Sequence, residues 1–192
     1  MILTTKRLRL RGPAPDDLDK MFAVYSNPDA MRYWSTPPHE SREVTQDLLN
    51  RRIAGWKQSQ VNFQIELAGQ YIGNAGNFRD EEIGFILHPS YWRQGILSEA
   101  MGAIIPHLWD TTDHEQLTAD ADPKNAASCG LLCSLGFVET HRAKNTFCIN
   151  GVWSDSVYFA LPRPQLRAKQ LVVISSPRRR HLAKPDIGTI DR

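Results

Sequence analysis

The chain has little cysteine, no long apolar run and none of the common nucleotide-binding signatures, and each lack removes a class of protein. Only three cysteines occur in 192 residues. Cys129, Cys133 and Cys148 form no C-x-x-C, and no histidine pair stands at ligand spacing, which argues against a zinc site or a disulfide scaffold. All three are expected to be small buried side chains in a reducing compartment. No apolar stretch approaches the ~18 residues of a membrane-crossing helix. No apolar leader precedes the charges that begin at Lys6. The expectation is a cytoplasmic protein that does not enter the membrane. A P-loop is excluded because there is no G-x-x-x-x-G-K-[ST], and no G-x-G-x-x-G opens a helix. Internal repeats and long low-complexity segments are absent as well.

The length suits one domain with room for a sizeable core, and the hydrophobic content of 41% is ordinary. Charge is uneven. The net value is +2, but residues 164–192 hold seven Lys/Arg against two Asp, so that tail is near +5 and the rest near −3. The division expected is a folded domain over 1–163 and a basic tail over 164–192. The run Arg178-Arg179-Arg180 suits a solvated extension or a nucleic-acid or ribosome contact. Leu171-Val172-Val173-Ile174 suits an added edge strand or a docking segment.

The most informative stretch runs from Glu82 to Ala100. A short apolar strand enters a loop holding Gly95, and an amphipathic helix follows with Leu97, Ala100, Met101, Ile104, Ile105 and Leu108 on one face. Pro106 is expected to bend that helix. A strand–loop–helix aims unpaired backbone N–H groups and the positive end of a helix dipole at one spot, which suits a phosphate or pyrophosphate. The same residues also fit an ordinary tight strand-to-helix turn.

Other elements are legible. Arg7, Arg9 and Arg11 alternate with Leu8 and Leu10 as a half-buried first strand. Helices are expected near 15–26 and 41–59, the second with Val44, Leu48, Ile53 and Trp56 inward. Val61, Phe63, Ile65 and Leu67 alternate with polar residues, and Ala68-Gly69 turns the chain into Tyr71-Ile72-Gly73. Asn125 caps a helix whose apolar face is Ala127, Leu131, Leu132 and Leu135, and Gly136 closes it with Phe137 packing back. Asn150-Gly151 between 146–149 and 152–161 is a strong hairpin signal. The order β-α-α-β-β-β-α-β-α-β-β implies a mixed α/β sheet with helices on both faces.

Five motifs in register carry a family resemblance over residues 4 to 161. They are T-x-R-L-x-L-R at 5–11, E-I-G-F at 82–85, Y-W-x-x-G-x-x-S-E-A at 91–100, N-x-x-S at 125–128 and L-G-F at 135–137. Together they resemble the GNAT superfamily of acetyl-CoA-dependent N-acetyltransferases, in particular its Rim-type branch of ribosomal-protein alanine acetyltransferases and their small-molecule relatives. The resemblance implies a mixed, mainly antiparallel α/β (α+β) sheet whose central strands splay apart. It implies acetyl-CoA as cosubstrate and direct transfer to a primary amine, on a protein N-terminus or a small molecule. Backbone groups of Phe85, Ile86 and Leu87 would pair with the pantetheine arm. Amides of Arg93, Gln94, Gly95, Ile96, Leu97 and Ser98 would hold the pyrophosphate, with Arg93 adding charge. Asn125 and Ser128 would line the cleft near the thioester.

For the base, the resemblance points to Glu82, with Glu81, Asp120 and Asp122 as competitors. Many relatives protonate the leaving thiolate with a tyrosine where this chain has Leu132, so Ser128 is the remaining candidate to hydrogen-bond the sulfur. Two loop residues depart from the family pattern: Trp92 replaces Gln or Arg, and Leu97 replaces a small residue that lets the backbone approach the phosphates. Tyr33, Trp34, Trp153 and Asp155 are the candidate acceptor pocket, an aromatic wall with a carboxylate suited to a cationic amine; core packing is the competing role for Trp34 and Trp153. A homodimer and a tail-mediated ribosome or RNA contact are further expectations. The alternative function is a non-catalytic acyl-CoA-binding or ribosome-associated module that keeps the fold.

Overall fold

The computed structural model describes residues 1–58 and 61–164. An open eight-stranded sheet runs in the order β1-β2-β3-β4-β5-β6-β8-β7. Its strands are β1 (Ile2–Thr4), β2 (Leu8–Arg11), β3 (Asn62–Leu67), β4 (Gln70–Arg79), β5 (Glu82–Leu87), β6 (Gln116–Ala121), β7 (Val138–Ile149) and β8 (Val152–Pro162). The helices are α1 (Leu18–Tyr25), a one-turn α2 (Pro28–Met31), α3 (Arg42–Lys57), α4 (Ile96–Thr111) and α5 (Ala126–Ser134). All neighbouring strands are antiparallel except β5 and β6. This is the mixed, mainly antiparallel sheet that the motifs implied.

Consecutive residues of a strand point to opposite faces, and β5 shows both cores. Ile86 joins Met21, Val24, Tyr25, Met31 and Leu49 beneath α1–α3. Leu87 joins Ile96, Ala100, Met101, Ile104 and Leu108 of α4, on the face that also takes Leu132 of α5. At β3 and the residue before it the expected alternation holds for Val61, Phe63 and Ile65, yet Asn62, Gln64 and Glu66 are buried too. The pattern reported only the more apolar of two covered faces.

The first strand is broken. The Thr5 N–H bonds to the Leu8 carbonyl at 3.0 Å, which folds the N-terminus into a β1–β2 hairpin. Helix α3 starts and ends close to expectation, though Ser59 lies outside the described residues. Its inner face differs: Thr45 and Leu49 are buried, Leu48, Ile53 and Trp56 are half-buried, and Val44 is 46% exposed. The stripe is built around Arg52, whose guanidinium reaches buried Asn74, and apolar periodicity does not see a polar residue turned inward. On α5, Leu132 is buried but Ala127 and Cys133 are exposed, as is Cys148 on β7. Their exposure corrects the expectation of buried thiols.

The turn chemistry follows the sequence closely. Gly136 (φ +91°) ends α5, its N–H bonding Cys133 and the Phe137 N–H bonding Leu132, both at 3.0 Å, which satisfies the last carbonyls of the helix. Asn150 (φ +50°) and Gly151 (φ +79°) make the β7–β8 turn. Helix α4 runs through Pro106. Past its end, Arg163 donates to the carbonyls of Trp109 and His114 at 2.7 Å and to that of Thr112, tying the end of β8 to the negative pole of the helix. The expected tail lies, apart from Pro164, outside the described residues, with segments 171–174 and 178–180. Among the described residues, no helix is long and apolar enough to cross a membrane.

Candidate active site

Strands β5 and β6 touch at one end only. Glu82 pairs with Thr118, and the Thr118 N–H bonds the Glu81 carbonyl at 2.9 Å. Beyond that point β5 stays with β4 as far as Leu87, while β6 stays with β8 as far as Ala121. A gap therefore opens between them toward the C-terminal ends of both strands. Strand alternation decides which groups face it. The Glu81 carbonyl points toward β6, whereas the His88 N–H bonds Ile72 of β4 at 2.9 Å. Ile83, Phe85 and Leu87 thus present their backbone polar groups to the gap, and Gly84 and Ile86 present theirs to β4. Of the three residues expected to bind an extended arm, Ile86 faces the wrong way. The Leu87 carbonyl already accepts from the Trp92 indole at 2.8 Å. Of those three residues, the Phe85 N–H and carbonyl and the Leu87 N–H are left facing the gap.

At the open end stands the loop into α4. Arg93 (φ +59°) and Gly95 (φ +69°) both adopt left-handed backbone, a strained choice for Arg93 that turns successive N–H groups to one side. The first helical bond is Glu99 N–H to the Gly95 carbonyl at 3.0 Å. The amides of 93–98 take no acceptor among the described residues, and the N-terminal pole of a 16-residue helix lies behind them. Leu97 packs half-buried against the main core, so its bulk is directed away from the mouth of the loop.

Across the gap, β6 leads into α5. Asn125 caps that helix through its side-chain oxygen, which accepts from the Ser128 N–H at 3.1 Å, leaving its amide nitrogen uncommitted among the described residues. Ser128 is half-buried one turn on. On the α1–α3 side of the sheet the two strands carry facing carboxylates. Glu82 bonds Arg79 at 3.1 Å in an exposed pair. Asp120 buries one carboxylate oxygen with no partner among the described residues. Burial raises the Asp120 pKa; Ser156 opposes the shift, and the nearby charge of Glu82 adds to it.

The same side of the sheet is roofed by aromatic rings. Trp34 meets Tyr25 edge-on at 5.9 Å and Phe78 at 5.7 Å. Phe78 lies directly on Gly84, where a Cβ would come within 2.8 Å of its ring. Tyr33 is at the surface, 38% exposed. Trp153 is 56% exposed near the β7–β8 turn, and Asp155 accepts from the Asn145 N–H at 3.0 Å, holding the irregular part of that hairpin. The described contacts do not join these two to Trp34. No group of three His, Cys, Asp or Glu side chains converges among the described residues.

Residues 7–138 match the acetyltransferase (GNAT) domain. The chain belongs to this family. A similar protein is YoaA, an uncharacterized N-acetyltransferase of Bacillus subtilis (strain 168), 26% identical over 85% of this chain and 98% of its own length. A ribosomal protein uS5-alanine N-acetyltransferase of Escherichia coli (strain K12) is 32% identical over 46% of each chain. Among solved structures, RimL, a ribosomal L7/L12 alpha-N-protein acetyltransferase in complex with coenzyme A, superimposes with a TM-score of 0.76. It is 20% identical and covers 84% of this chain and 98% of that one. The protein is an acetyl-CoA-dependent N-acetyltransferase.

In this GNAT domain two residues of the opening motif have a role that their position in the sequence does not reveal. Glu99, in the first turn of α4, accepts from Thr5 Oγ1 at 2.6 Å, the Arg7 N–H at 2.8 Å and Arg7 Nε at 2.6 Å. Arg7 Nη1 also donates to the Gln94 carbonyl at 2.9 Å. The β1–β2 turn thus clamps both the loop and the helix it feeds. T-x-R-L and S-E-A lie more than 90 residues apart, and only their membership of one family pattern hinted that they meet.

Proposed function

We propose that this acetyltransferase passes an acetyl group directly from acetyl-CoA to a primary amine entering from the α1–α3 face of the sheet. Acetyl-CoA supplies the acetyl thioester. The observation that carries the reading is the gap between β5 and β6, with strand-edge groups along it and uncommitted amides at its mouth. Residues 93–98, with the Arg93 guanidinium, hold the pyrophosphate. Phe85 and Leu87 pair with the arm as an added strand would. One of their N–H groups donates to the oxygen that gains charge as the amine attacks. Asn125 and Ser128 meet the sulfur end, where the Ser128 hydroxyl stabilises the departing thiolate by a hydrogen bond.

Asp120 is the better base of the two facing carboxylates. Its raised pKa makes it a stronger proton acceptor than an ordinary carboxylate, and one of its oxygens is uncommitted. Glu82, the residue favoured by the family pattern, attracts the incoming ammonium and sustains the shift of Asp120. The acceptor is an amine of a small molecule or of a protein N-terminus. The test is steady-state transfer to a panel of amines by wild type, Asp120→Asn, Glu82→Gln and Ser128→Ala. Loss of kcat by 10²-fold or more in Asp120→Asn is expected, the usual size for a general base. An Asp120→Asn enzyme with wild-type kcat across pH contradicts the assignment.

A further inference from the structure

The roof of the acceptor side holds a cation that no carboxylate among the described residues neutralises. Arg52, on the inner face of α3, stacks over the Tyr25 ring at 5.2 Å and the Phe78 ring at 5.6 Å. Its Nη1 donates to Asn74 Oδ1 at 2.8 Å and its Nη2 to the Tyr25 hydroxyl at 2.5 Å. Both partners are neutral: burial holds the Tyr25 phenol above its ordinary pKa, so it does not ionise to meet the charge. Among the described residues, no carboxylate lies within ion-pair distance of Arg52, whereas Arg7 and Arg9 each have one and Arg11 has two. Asp17, the buried acid of that flank, is committed to Arg11 at 2.5 Å. His39, stacked on Tyr25 at 5.1 Å, has its pKa lowered by burial and then by Arg52 and Arg51, so the local field is positive.

A half-buried cation without a counter-charge is costly unless something else supplies one. Arginine carries five donors in a fixed fork, and two are spent on Asn74 and Tyr25, which leaves three N–H groups. Such a fork matches a carboxylate or phosphate. Its position fits an acceptor. Phe78 bridges Arg52 to Gly84 in β5, and Gly84 is two residues, about 7 Å along the strand, from Glu82 on the same face. One end of this face therefore carries Arg52, and the other carries two carboxylates, Glu82 and Asp120, against one cation, the Arg79 bonded to Glu82.

We propose that Arg52 binds an anionic group of the acceptor, so that the substrate is an amine bearing a carboxylate or phosphate at its far end and not a polycation. The assignment rests on the acetyl-transfer reading above. It adds an anionic end to the cationic amine expected from Tyr33, Trp34, Trp153 and Asp155. With Trp34 and Phe78 beside it, Arg52 sorts acceptors by charge, while the carboxylates at the gap draw in the amine.

The experiment compares matched acceptor pairs by release of free thiol from acetyl-CoA. Amino acids and short peptides with a free carboxylate are set against the same compounds amidated, and phosphoethanolamine against ethanolamine. In the wild type at least one anionic arm should exceed its neutral partner by 10-fold or more in kcat/KM, and the arm that does so identifies carboxylate or phosphate. Arg52→Gln should erase the preference and leave the affinity for acetyl-CoA within threefold, and Arg52→Lys should retain part of it. Folding of each variant is checked by its thermal midpoint. Absence of any anionic preference in the wild type, or a preference unchanged in Arg52→Gln, overturns the proposal. Failure of the wild type to bind acetyl-CoA would instead overturn the transfer reading itself.

Discussion

Replacing Arg7 by Ala should weaken acetyl-CoA binding although Arg7 is remote in sequence from the loop that binds it. The substitution removes the Nε bond to Glu99 and the Nη1 bond to the Gln94 carbonyl, and leaves the backbone Arg7 N–H and Thr5 bonds to Glu99 intact. Hydrogen bonds to charged groups contribute about 1.5–3 kcal/mol when shielded, whereas exposed ion pairs contribute about 0–1. The Arg7 side chain is 39% exposed and that of Glu99 18%, so a loss of about 1.5 kcal/mol is the reasonable middle. That corresponds to a fall of about 3–6 °C in thermal midpoint for a domain of this size. A loop with its anchor removed must be reordered when ligand binds, and a similar 1.4 kcal/mol there raises Kd about tenfold. Titration calorimetry with acetyl-CoA reads the second effect, and thermal unfolding reads the first. The pH dependence has a definite sign. The Thr5 hydroxyl, then Arg7, lower the Glu99 pKa in the folded chain. The stabilisation is thus complete above the ordinary glutamate pKa and is lost as pH falls through the lowered one. An Arg7→Ala protein whose thermal midpoint falls while its acetyl-CoA affinity stays within twofold refutes the clamp as a positioning device.

Other perturbations separate the remaining claims. Because the Asp120 pKa is raised, the acid limb of kcat/KM should lie above that of an ordinary aspartate, and Glu82→Gln should move it downward by removing a negative neighbour; pH–rate profiles check this. Leu97→Ala should cost about 1–2 kcal/mol in denaturant unfolding, from lost contact with the main core, without tightening acetyl-CoA. Tighter binding would mean that the side chain does obstruct the phosphates. Arg163→Ala removes three bonds to carbonyls at the end of α4 and should cost about 1–3 kcal/mol of stability with kcat unchanged.

What the sequence disclosed was local. Asn150-Gly151, Gly136 and the Asn125 cap act within a few residues, and each took the backbone form its chemistry demands. Strand alternation alone turns Ile86 from the gap once Phe85 and Leu87 face it. Arg52 turns inward as a polar residue, so apolar periodicity carries no signal for it. The Thr5–Arg7–Glu99 clamp has no local signal at all, because it exists only when β2 is laid beside α4. Leu97 looked damaging as a departure from a pattern, and its actual direction depended on the phase of the first helical turn. Leu97, packed on the core, gives the non-catalytic alternative no support.

The most direct test of the account is a nitrogen-15 amide spectrum followed through titration with acetyl-CoA. Shifts concentrated at residues 93–98, Phe85 and Leu87, with Gly84 and Ile86 less moved, are what the gap and its strand alternation predict. No saturable shifts, or shifts centred away from the β5–β6 gap, would contradict it.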